Sequence, residues 1–181
     1  MKPYLNAASP YARLVRVLLA ETGREAELVT VDPWALPADL LAANPTGKVP
    51  ALVLDDGTAL VESGCIAAYL SGGEPKEPET LRRLGLARAA IDCAFGAVIQ
   101  HRFAPGSALI ERWISALPRI ARYLDDVTAE DPGLAALTAA VAFEYVDFRL
   151  PEVPWRDAAP GLAGAVDILG GRESLRATRP S

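Results

Sequence analysis

Along residues 1–71 the spacing of hydrophobic positions alternates between that of strands and that of helices, and this pattern predicts a mixed α/β region. Four short apolar runs have the length and composition of β-strands: 2–5, 27–31, 49–54 and 58–61. Three stretches carry apolar residues at helical spacing: 9–20, 38–43 and 63–70. The expected order is therefore a βαβ unit, a short connecting helix, a β-hairpin and a last helix.

Turn-forming and helix-capping residues separate these predicted elements. Asp55-Asp56-Gly57 lies between the third and fourth strands and is typical of a hairpin turn. Gly23 is suited to end the first helix, and Ser63 is suited to cap the last one.

Beyond residue 71 the pattern predicts helices alone. The segment 72–78 is polar and rich in glycine and proline, which is typical of a linker. Helical apolar spacing then continues over three stretches: 79–102, 108–127 and 134–150. Pro118 should kink or restart the second of these helices, because proline removes a backbone donor. The sequence therefore predicts an α/β domain over 1–71, a linker over 72–78 and an all-helical domain over 79–181.

The composition narrows the class of protein. The chain has 181 residues, of which 51% are apolar, and a formal net charge of −5. Two cysteines and one histidine are too few for a disulfide framework or a metal centre. No run could span a membrane, no export signal precedes the first strand, and no basic cluster suits nucleic acid. We therefore expect a soluble protein of the reducing cytoplasm that uses no metal and binds neither membranes nor nucleic acids.

The first candidate site is Ser9-Pro10, where the first strand gives way to a helix. Serine is favoured at a helix cap and proline at the first helical position, so the pair can be purely structural. The same position is the positive end of a helix dipole and carries unpaired N–H groups. A hydroxyl there could donate to the thiolate of a bound thiol and so lower the pKa of that thiol. The residues alone leave both interpretations open.

Two further motifs could hold the rest of such a ligand. The run 44–52 reads Asn-Pro-Thr-Gly-Lys-Val-Pro-Ala-Leu. If Pro50 is cis, the backbone of Val49 could pair with an extended peptide, whereas a trans proline before a strand would be ordinary. Glu62 suits an ammonium group and Ser63 a carboxylate, which together describe an amino-acid head group. A helix cap with an acid beside it is the alternative.

Together these motifs resemble those of the bacterial glutathione S-transferases. The matching segments occur in the same order and at matching spacing: 9–13, 44–52, 57–63, 145–149 and 176–180. The resemblance implies the glutathione transferase fold, in which a thioredoxin-like α/β domain of βαβ-ββα order precedes an all-α C-terminal domain.

The resemblance also implies roles for the candidate residues. Ser9 would activate the thiol of glutathione, the co-substrate. Five residues would bind the tripeptide, from its glycine carboxylate to its γ-glutamyl end: Lys48, Val49, Pro50, Glu62 and Ser63. A small hydrophobic electrophile would lie between the domains, over five further residues: Tyr11, Phe95, Ile99, His101 and Phe103. Serine rather than cysteine at position 9 indicates conjugation, addition or elimination instead of thiol–disulfide exchange, and the resemblance implies a homodimer.

Departures from the family pattern leave alternatives open. Family members start a core helix of the second domain with a capping box, where this chain has Gly133 and Ala136, and Asp131 offers a replacement cap. The helical domain is also shortened after Arg102, close to the expected electrophile site. The leading hypothesis is a glutathione transferase of the detoxifying kind. The alternatives are a non-catalytic binding protein of the same fold, a ligand thiol other than glutathione, or a specialised glutathione-dependent enzyme such as a dehalogenase, an ether-cleaving enzyme, an isomerase or a biosynthetic sulfur transferase.

Overall fold

The computed structural model describes residues 1–130 and 132–180, so the replacement cap predicted at Asp131 lies outside the described residues. Within the described residues, four strands form one sheet: β1 (Lys2–Leu5), β2 (Val29–Thr30), β3 (Ala51–Val53) and β4 (Ala59–Val61). Three α-helices accompany the sheet: α1 (Pro10–Glu21), α2 (Ala38–Ala43) and α3 (Ser63–Leu70). A 3₁₀ turn at Pro33–Ala35 precedes α2 and is absent from the predicted elements.

The chain divides into two compact units. The first comprises Met1–Glu74 and the segment that starts at Ala177, and the second comprises Pro75–Arg176. The returning segment meets α1, where an Arg16 N–H donates to the Ala177 carbonyl (3.5 Å). The finer division expected from the sequence, with a linker over 72–78, stays a prediction.

The sheet of the first unit has the strand order β2-β1-β3-β4. β1 and β2 are parallel, and β3 is antiparallel to both of its neighbours. The predicted βαβ unit followed by a hairpin and a helix is therefore confirmed. Tyr4 pairs with Ala51, and both pack with Leu40 and Ala43 of α2 in the core of this unit. α1 and α3 pack against each other.

The predicted hairpin turn forms between β3 and β4. The Gly57 N–H donates to the Leu54 carbonyl (3.0 Å), and Gly57 has a φ of +86°, which glycine adopts without steric cost. Hydrogen bonds from Thr58, first of all from its backbone N–H, lower the pKa of Asp56. β3 begins at Ala51 rather than at residue 49, since Pro50 has no N–H to donate to the ladder.

Among its described residues, the second unit contains helices and no strands. Its helices are α4 (Pro78–Phe103), α5 (Ala108–Ile114), α6 (Ala116–Arg122), α7 (Leu134–Arg149), α8 (Trp155–Ala158), α9 (Pro160–Leu169) and α10 (Glu173–Arg176). α7 packs against α4 and α9 and is buried on all sides along most of its length, which is typical of a central helix. None of the described helices combines the length and apolar character that crossing a membrane requires.

Two predictions about helix boundaries need correction. The helix predicted over 108–127 is two helices, α5 and α6, which meet at Ser115. The predicted restart at Pro118 is confirmed, because this proline lies in the first turn of α6, where its missing N–H has no helical partner. The prediction that Ser63 caps α3 is wrong: Glu62 is the N-cap, and Ser63 is already the first helical residue.

The N-terminus of α9 is capped from a distant part of the chain. Oδ1 of Asp125 accepts a hydrogen bond from the Leu162 N–H (3.0 Å). The approach is possible because residue 161 is glycine: a Cβ at Gly161 would lie 2.3 Å from the Asp125 carbonyl oxygen. By contrast, the N-cap of α7 is Gly133, so no side-chain hydrogen bond caps that helix. The N-terminus of α9 is therefore capped by a residue that is distant in sequence, and no local sequence motif predicts this contact.

Candidate functional site

The sheet register brings three candidate segments to one end of the sheet. Tyr4 pairs with Ala51, and Ala51 pairs with Val61. β1 therefore ends where β3 begins and where β4 ends, on strands about 4.8 Å apart. The segments just beyond these strand ends are 6–9, 48–50 and 62–63. Residues that are distant in sequence thus share one edge of the first unit.

Ser9 is the N-cap of α1 and Pro10 is the first residue of that helix, so the capping interpretation is confirmed. Its Oγ accepts a hydrogen bond from the Ala12 N–H (3.2 Å), and the side chain is buried. Among the described residues, nothing accepts the hydrogen of this hydroxyl. The hydroxyl oxygen of Ser9 therefore caps the helix as an acceptor, while the hydroxyl hydrogen can be donated to a ligand at the positive end of the helix dipole.

Asn6 fixes the turn that presents Ser9. Its Nδ2 donates to the Val31 carbonyl (2.9 Å), and its Oδ1 accepts from the Ala8 N–H (3.0 Å). Its own carbonyl accepts from the Ser9 N–H (3.1 Å). Asn6 was not predicted as a site residue, although an asparagine directly after a strand is a known organiser of turns. Asn6 thus ties the β1–α1 turn to the end of β2.

The loop before β3 is organised by a second asparagine, Asn44, which was also not predicted as a site residue. Nδ2 of the buried Asn44 donates to the Lys48 carbonyl (2.7 Å), and its Oδ1 accepts from the N–H (3.1 Å) and the hydroxyl (2.9 Å) of Thr46. Gly47 adopts a φ of +67°. Lys48 is exposed, and within the described part of the chain its ammonium has no ion pair. The loop is therefore held in place while its lysine stays available.

The Val49–Pro50 peptide bond is cis, as the resemblance implies. Neither the N–H nor the carbonyl of the half-buried Val49 forms a hydrogen bond with any residue that the structure describes. These two backbone groups are thus one unsatisfied donor and one unsatisfied acceptor. An extended peptide that pairs as an added strand needs such a pair of groups.

Glu62 and Ser63 form the start of α3. Glu62 has a φ of 70° and a ψ of 125°, a conformation that non-glycine residues rarely adopt. Its Oε2 accepts from the Gly64 N–H (2.9 Å), and its Oε1 accepts from the Ser63 hydroxyl (3.0 Å). In the described chain the Ser63 N–H has no acceptor. This helix end therefore offers an N–H and a hydroxyl beside an exposed carboxylate.

The residues predicted to meet an electrophile lie on two helices. Tyr11 is in the first turn of α1, and the other four are on α4. Phe95, Ile99 and Phe103 follow one another at intervals of four and share a face of α4, whereas His101 lies on a different face. Phe103 and His101 are exposed, and the other three are half-buried. That these five residues form one pocket stays a prediction.

The edge of the first unit presents groups suited to an extended, zwitterionic ligand. The Ser9 hydroxyl follows β1, the exposed Lys48 and the unsatisfied backbone groups of Val49 precede β3, and a carboxylate with a helix end follows β4. Among the described side chains, no group of three or more His, Cys, Asp or Glu residues is placed to hold a metal ion. The chemistry offered is hydrogen bonding and charge pairing along a short peptide.

Comparisons with known proteins place this geometry in a family. Residues 8–71 match the family model described as the glutathione S-transferase N-terminal domain. A crystal structure of a glutathione transferase family member from Pseudomonas fluorescens Pf-5, with bound glutathione, is 30% identical in sequence to this chain. The match covers 99% of this chain and 98% of that one, with a TM-score of 0.80. The chain belongs to the glutathione S-transferase family.

Other members and relatives of the glutathione S-transferase family match over similar lengths. A glutathione S-transferase of Methylobacillus flagellatus KT, crystallised with glutathione bound, is 28% identical, with a TM-score of 0.86 and 99% coverage of both chains. The GST-like protein YibF of Escherichia coli K12, itself named as uncharacterized, is 26% identical over 199 aligned residues, or 99% of this chain and 98% of that protein. The predicted fold, a thioredoxin-like domain followed by a helical one, is therefore confirmed.

Proposed function

We propose that this protein binds glutathione and activates its thiol for reaction with a small hydrophobic electrophile. The observation that carries the proposal is the hydroxyl hydrogen of Ser9, which no described residue accepts, at the same end of the sheet as the unsatisfied backbone of Val49. Similar proteins crystallised with glutathione bound support the choice of ligand.

Each part of the tripeptide has a complementary group in the first unit. The cysteinyl unit pairs with the N–H and carbonyl of Val49, beside Pro50. The γ-glutamyl carboxylate accepts from the Ser63 N–H and hydroxyl, so the hydroxyl turns away from Oε1 of Glu62. The freed oxygen of Glu62 then meets the α-ammonium group, and Lys48 meets the glycine carboxylate. Binding therefore exchanges one internal hydrogen bond for several that involve charged groups.

The proposed reaction begins with loss of the thiol proton to solvent. The Ser9 hydroxyl donates to the resulting thiolate and lowers the pKa of the thiol, because a hydrogen bond to the charged form favours that form. The thiolate electron pair then forms a sulfur–carbon bond with the electrophile. In a substitution the leaving group departs with its bonding pair, and in an addition the adjacent atom takes up a proton. The residues proposed to line the electrophile are Tyr11, Phe95, Ile99, His101 and Phe103.

A thermal-shift titration with reduced glutathione and with S-methyl glutathione tests the binding step. A ligand that binds only the folded state stabilises it by about 2.7 kcal/mol at roughly a hundredfold excess over Kd. Ser63→Ala should raise Kd about tenfold, since a hydrogen bond to a charged group is lost. Ser71→Ala, at the other end of α3, is the matched control.

A second pair of variants tests whether the positive charge of Lys48 contributes to glutathione binding. Lys48→Ala should weaken binding, whereas Lys76→Ala, which removes the same charge elsewhere, should not. The absence of any shift at millimolar glutathione would refute the proposal. Saturable binding without turnover of any electrophile would instead favour a non-catalytic binding protein.

We also propose that the protein works as a homodimer in a reducing cytoplasm. Its two cysteines, Cys65 and Cys93, are both free thiols, which suits such a compartment. Sedimentation equilibrium measures the oligomeric state directly. A monomer at micromolar concentration would refute the dimer without affecting the proposed chemistry.

A further inference from the structure

Asn44 is a buried polar residue at the point where α2 ends and the loop to β3 begins. It is 3% exposed and is the C-cap of α2, and its backbone N–H donates to the Leu40 carbonyl (2.7 Å). Its own carbonyl accepts from the Gly47 N–H (2.9 Å). Leu40 packs in the core of the first unit. The backbone of Asn44 is therefore anchored, and its side chain extends into the loop from a fixed position.

The side chain of Asn44 holds one carbonyl group of this loop. Its Nδ2 donates to the Lys48 carbonyl (2.7 Å), and no other described residue donates to that oxygen. Lys48 is exposed, so packing restricts the rotation of its backbone little. The hydrogen bond from Asn44 therefore determines the direction in which the Lys48 carbonyl points.

Fixing the Lys48 carbonyl also fixes the N–H of the next residue. The peptide bond between Lys48 and Val49 is trans and planar, so its C=O and its N–H point in opposite directions. The carbonyl points towards the buried Asn44, and the Val49 N–H points away from it. This N–H is the donor for which the described part of the chain offers no acceptor. One hydrogen bond from Asn44 thus sets the direction of an unsatisfied donor.

We propose that Asn44 is a positioning residue, which aims the Val49 N–H at the carbonyl of the cysteinyl unit of the ligand. The inference rests on the proposed function, in which that unit pairs with Val49 as an added strand. In such a pair the N–H of one residue donates to the C=O of the other. A donor that is aimed before binding spares the cost of ordering the loop, so affinity rises. Asn44 acts through the loop and should leave the pKa of the bound thiol unchanged.

Three variants separate the hydrogen bonds of Asn44. Asn44→Asp keeps an acceptor for the N–H and the hydroxyl of Thr46 and loses only the donor to the Lys48 carbonyl. Asn44→Ala loses the donor and the acceptor. Thr46→Val is the matched control, because it removes one hydrogen bond from the same loop at an exposed position and keeps the donor. In calorimetric titration with S-methyl glutathione, both Asn44 variants should raise Kd about threefold to tenfold, and the control should not.

A second ligand distinguishes positioning from general damage to the loop. In this ligand an E-alkene replaces the amide between the cysteine and the glycine of S-methyl glutathione, so the cysteinyl carbonyl is missing and all charged groups remain. The wild-type protein should bind it about threefold to tenfold more weakly than S-methyl glutathione. Asn44→Asp should bind both ligands equally, because the donor is no longer aimed. The negative charge that Asn44→Asp adds acts on both ligands and cancels in this comparison.

Hydrogen exchange in the wild-type protein tests the geometry without any variant, and so covers the case in which Asn44→Asp does not fold. With S-methyl glutathione bound, NMR should show slow exchange of the Val49 N–H and of one hydrogen of the Asn44 side-chain amide. Rapid exchange of both hydrogens of that side-chain amide would overturn the proposal.

The remaining outcomes separate this inference from the proposed function. Equal Kd values of the wild-type protein and Asn44→Asp for S-methyl glutathione would overturn the positioning role and leave the proposed function intact. Equal losses of affinity for both ligands in Asn44→Asp would assign Asn44 a purely structural role and would also overturn it. Failure of the wild-type protein to bind S-methyl glutathione would refute the proposed function and this inference together.

Discussion

Replacing Ser9 with glycine should separate the two tasks of its hydroxyl. The Oγ atom caps α1 by accepting from the Ala12 N–H, and its hydrogen is proposed to bind a thiolate. Alanine at an N-cap costs about 1 kcal/mol, whereas glycine costs roughly a few tenths of that amount. Both variants lack the hydroxyl. Ser9→Ala should therefore lose stability and thiol activation, and Ser9→Gly should lose thiol activation alone.

The expected size of the loss follows from the burial of Ser9. Only 9% of this residue is exposed, so its hydrogen bond to a thiolate forms away from bulk water. A hydrogen bond to a charged group contributes about 1.5–3 kcal/mol, and one pKa unit corresponds to about 1.4 kcal/mol. Without the hydroxyl, the pKa of the bound thiol should rise by about 1 to 2 units. Below both pKa values the thiolate fraction then falls by about 10-fold to 100-fold.

The assay is a pH titration of bound glutathione followed by the ultraviolet absorbance of its thiolate. This measurement needs no electrophile, so it does not depend on finding the second substrate. Urea unfolding of the same variants separately measures how much the cap contributes to the free energy of unfolding. Ser9→Thr keeps a hydroxyl and an acceptable cap, and it should restore most of the activation.

An unchanged thiol pKa in Ser9→Gly would refute the role of Ser9 in activation. The residue would then be a helix cap and nothing more. Equal losses of stability in the alanine and glycine variants would refute the capping argument. The two parts of the reasoning can therefore fail independently.

Three further predictions concern positions around the two units. Gly161→Ala should lower the free energy of unfolding by about 1–3 kcal/mol, because the added Cβ would lie 2.3 Å from the Asp125 carbonyl oxygen. Gly164→Ala in the same helix is the control: its Cβ would meet nothing within 4 Å, so this variant should be neutral or stabilising. Equal effects of the two variants in urea unfolding would contradict the prediction. Asn6→Ala should lose about 1–3 kcal/mol of stability and raise the pKa of the bound glutathione thiol, because two side-chain hydrogen bonds that hold the β1–α1 turn disappear. A variant with the wild-type thiol pKa would show that the turn does not need these two hydrogen bonds. Cys65 is exposed, whereas burial raises the pKa of the Cys93 thiol. Iodoacetamide at mildly alkaline pH should therefore modify Cys65 first. Preferential modification of Cys93, measured by mass spectrometry, would contradict this prediction.

Features set by neighbouring residues were predictable from the sequence. Ser9-Pro10 caps and begins α1 because both preferences are local to one helix end. The Asp-Gly turn forms the hairpin for the same reason. Ser9, Val49 and Glu62 lie within a few residues of strand ends, as the predicted elements implied, and their roles toward a ligand stay predictions.

Features set by tertiary contacts were not predictable in this way. Ser63 looked like the better cap, but the backbone at Glu62 turns the longer side chain onto the helix end. The cap of α9 comes from Asp125, and the sequence gives no sign that these segments meet. Asn6 and Asn44 escaped notice because their importance depends on partners that the fold supplies.

The backbone at Glu62 has an evolutionary consequence. Its φ of 70° with a ψ of 125° costs about 1–3 kcal/mol, and glycine would remove most of that cost. A laboratory selection for heat resistance alone should therefore enrich glycine at position 62. The survivors would lack the carboxylate proposed to hold the ammonium group of the ligand. Selection for durability and selection for turnover would thus drive this one codon in opposite directions.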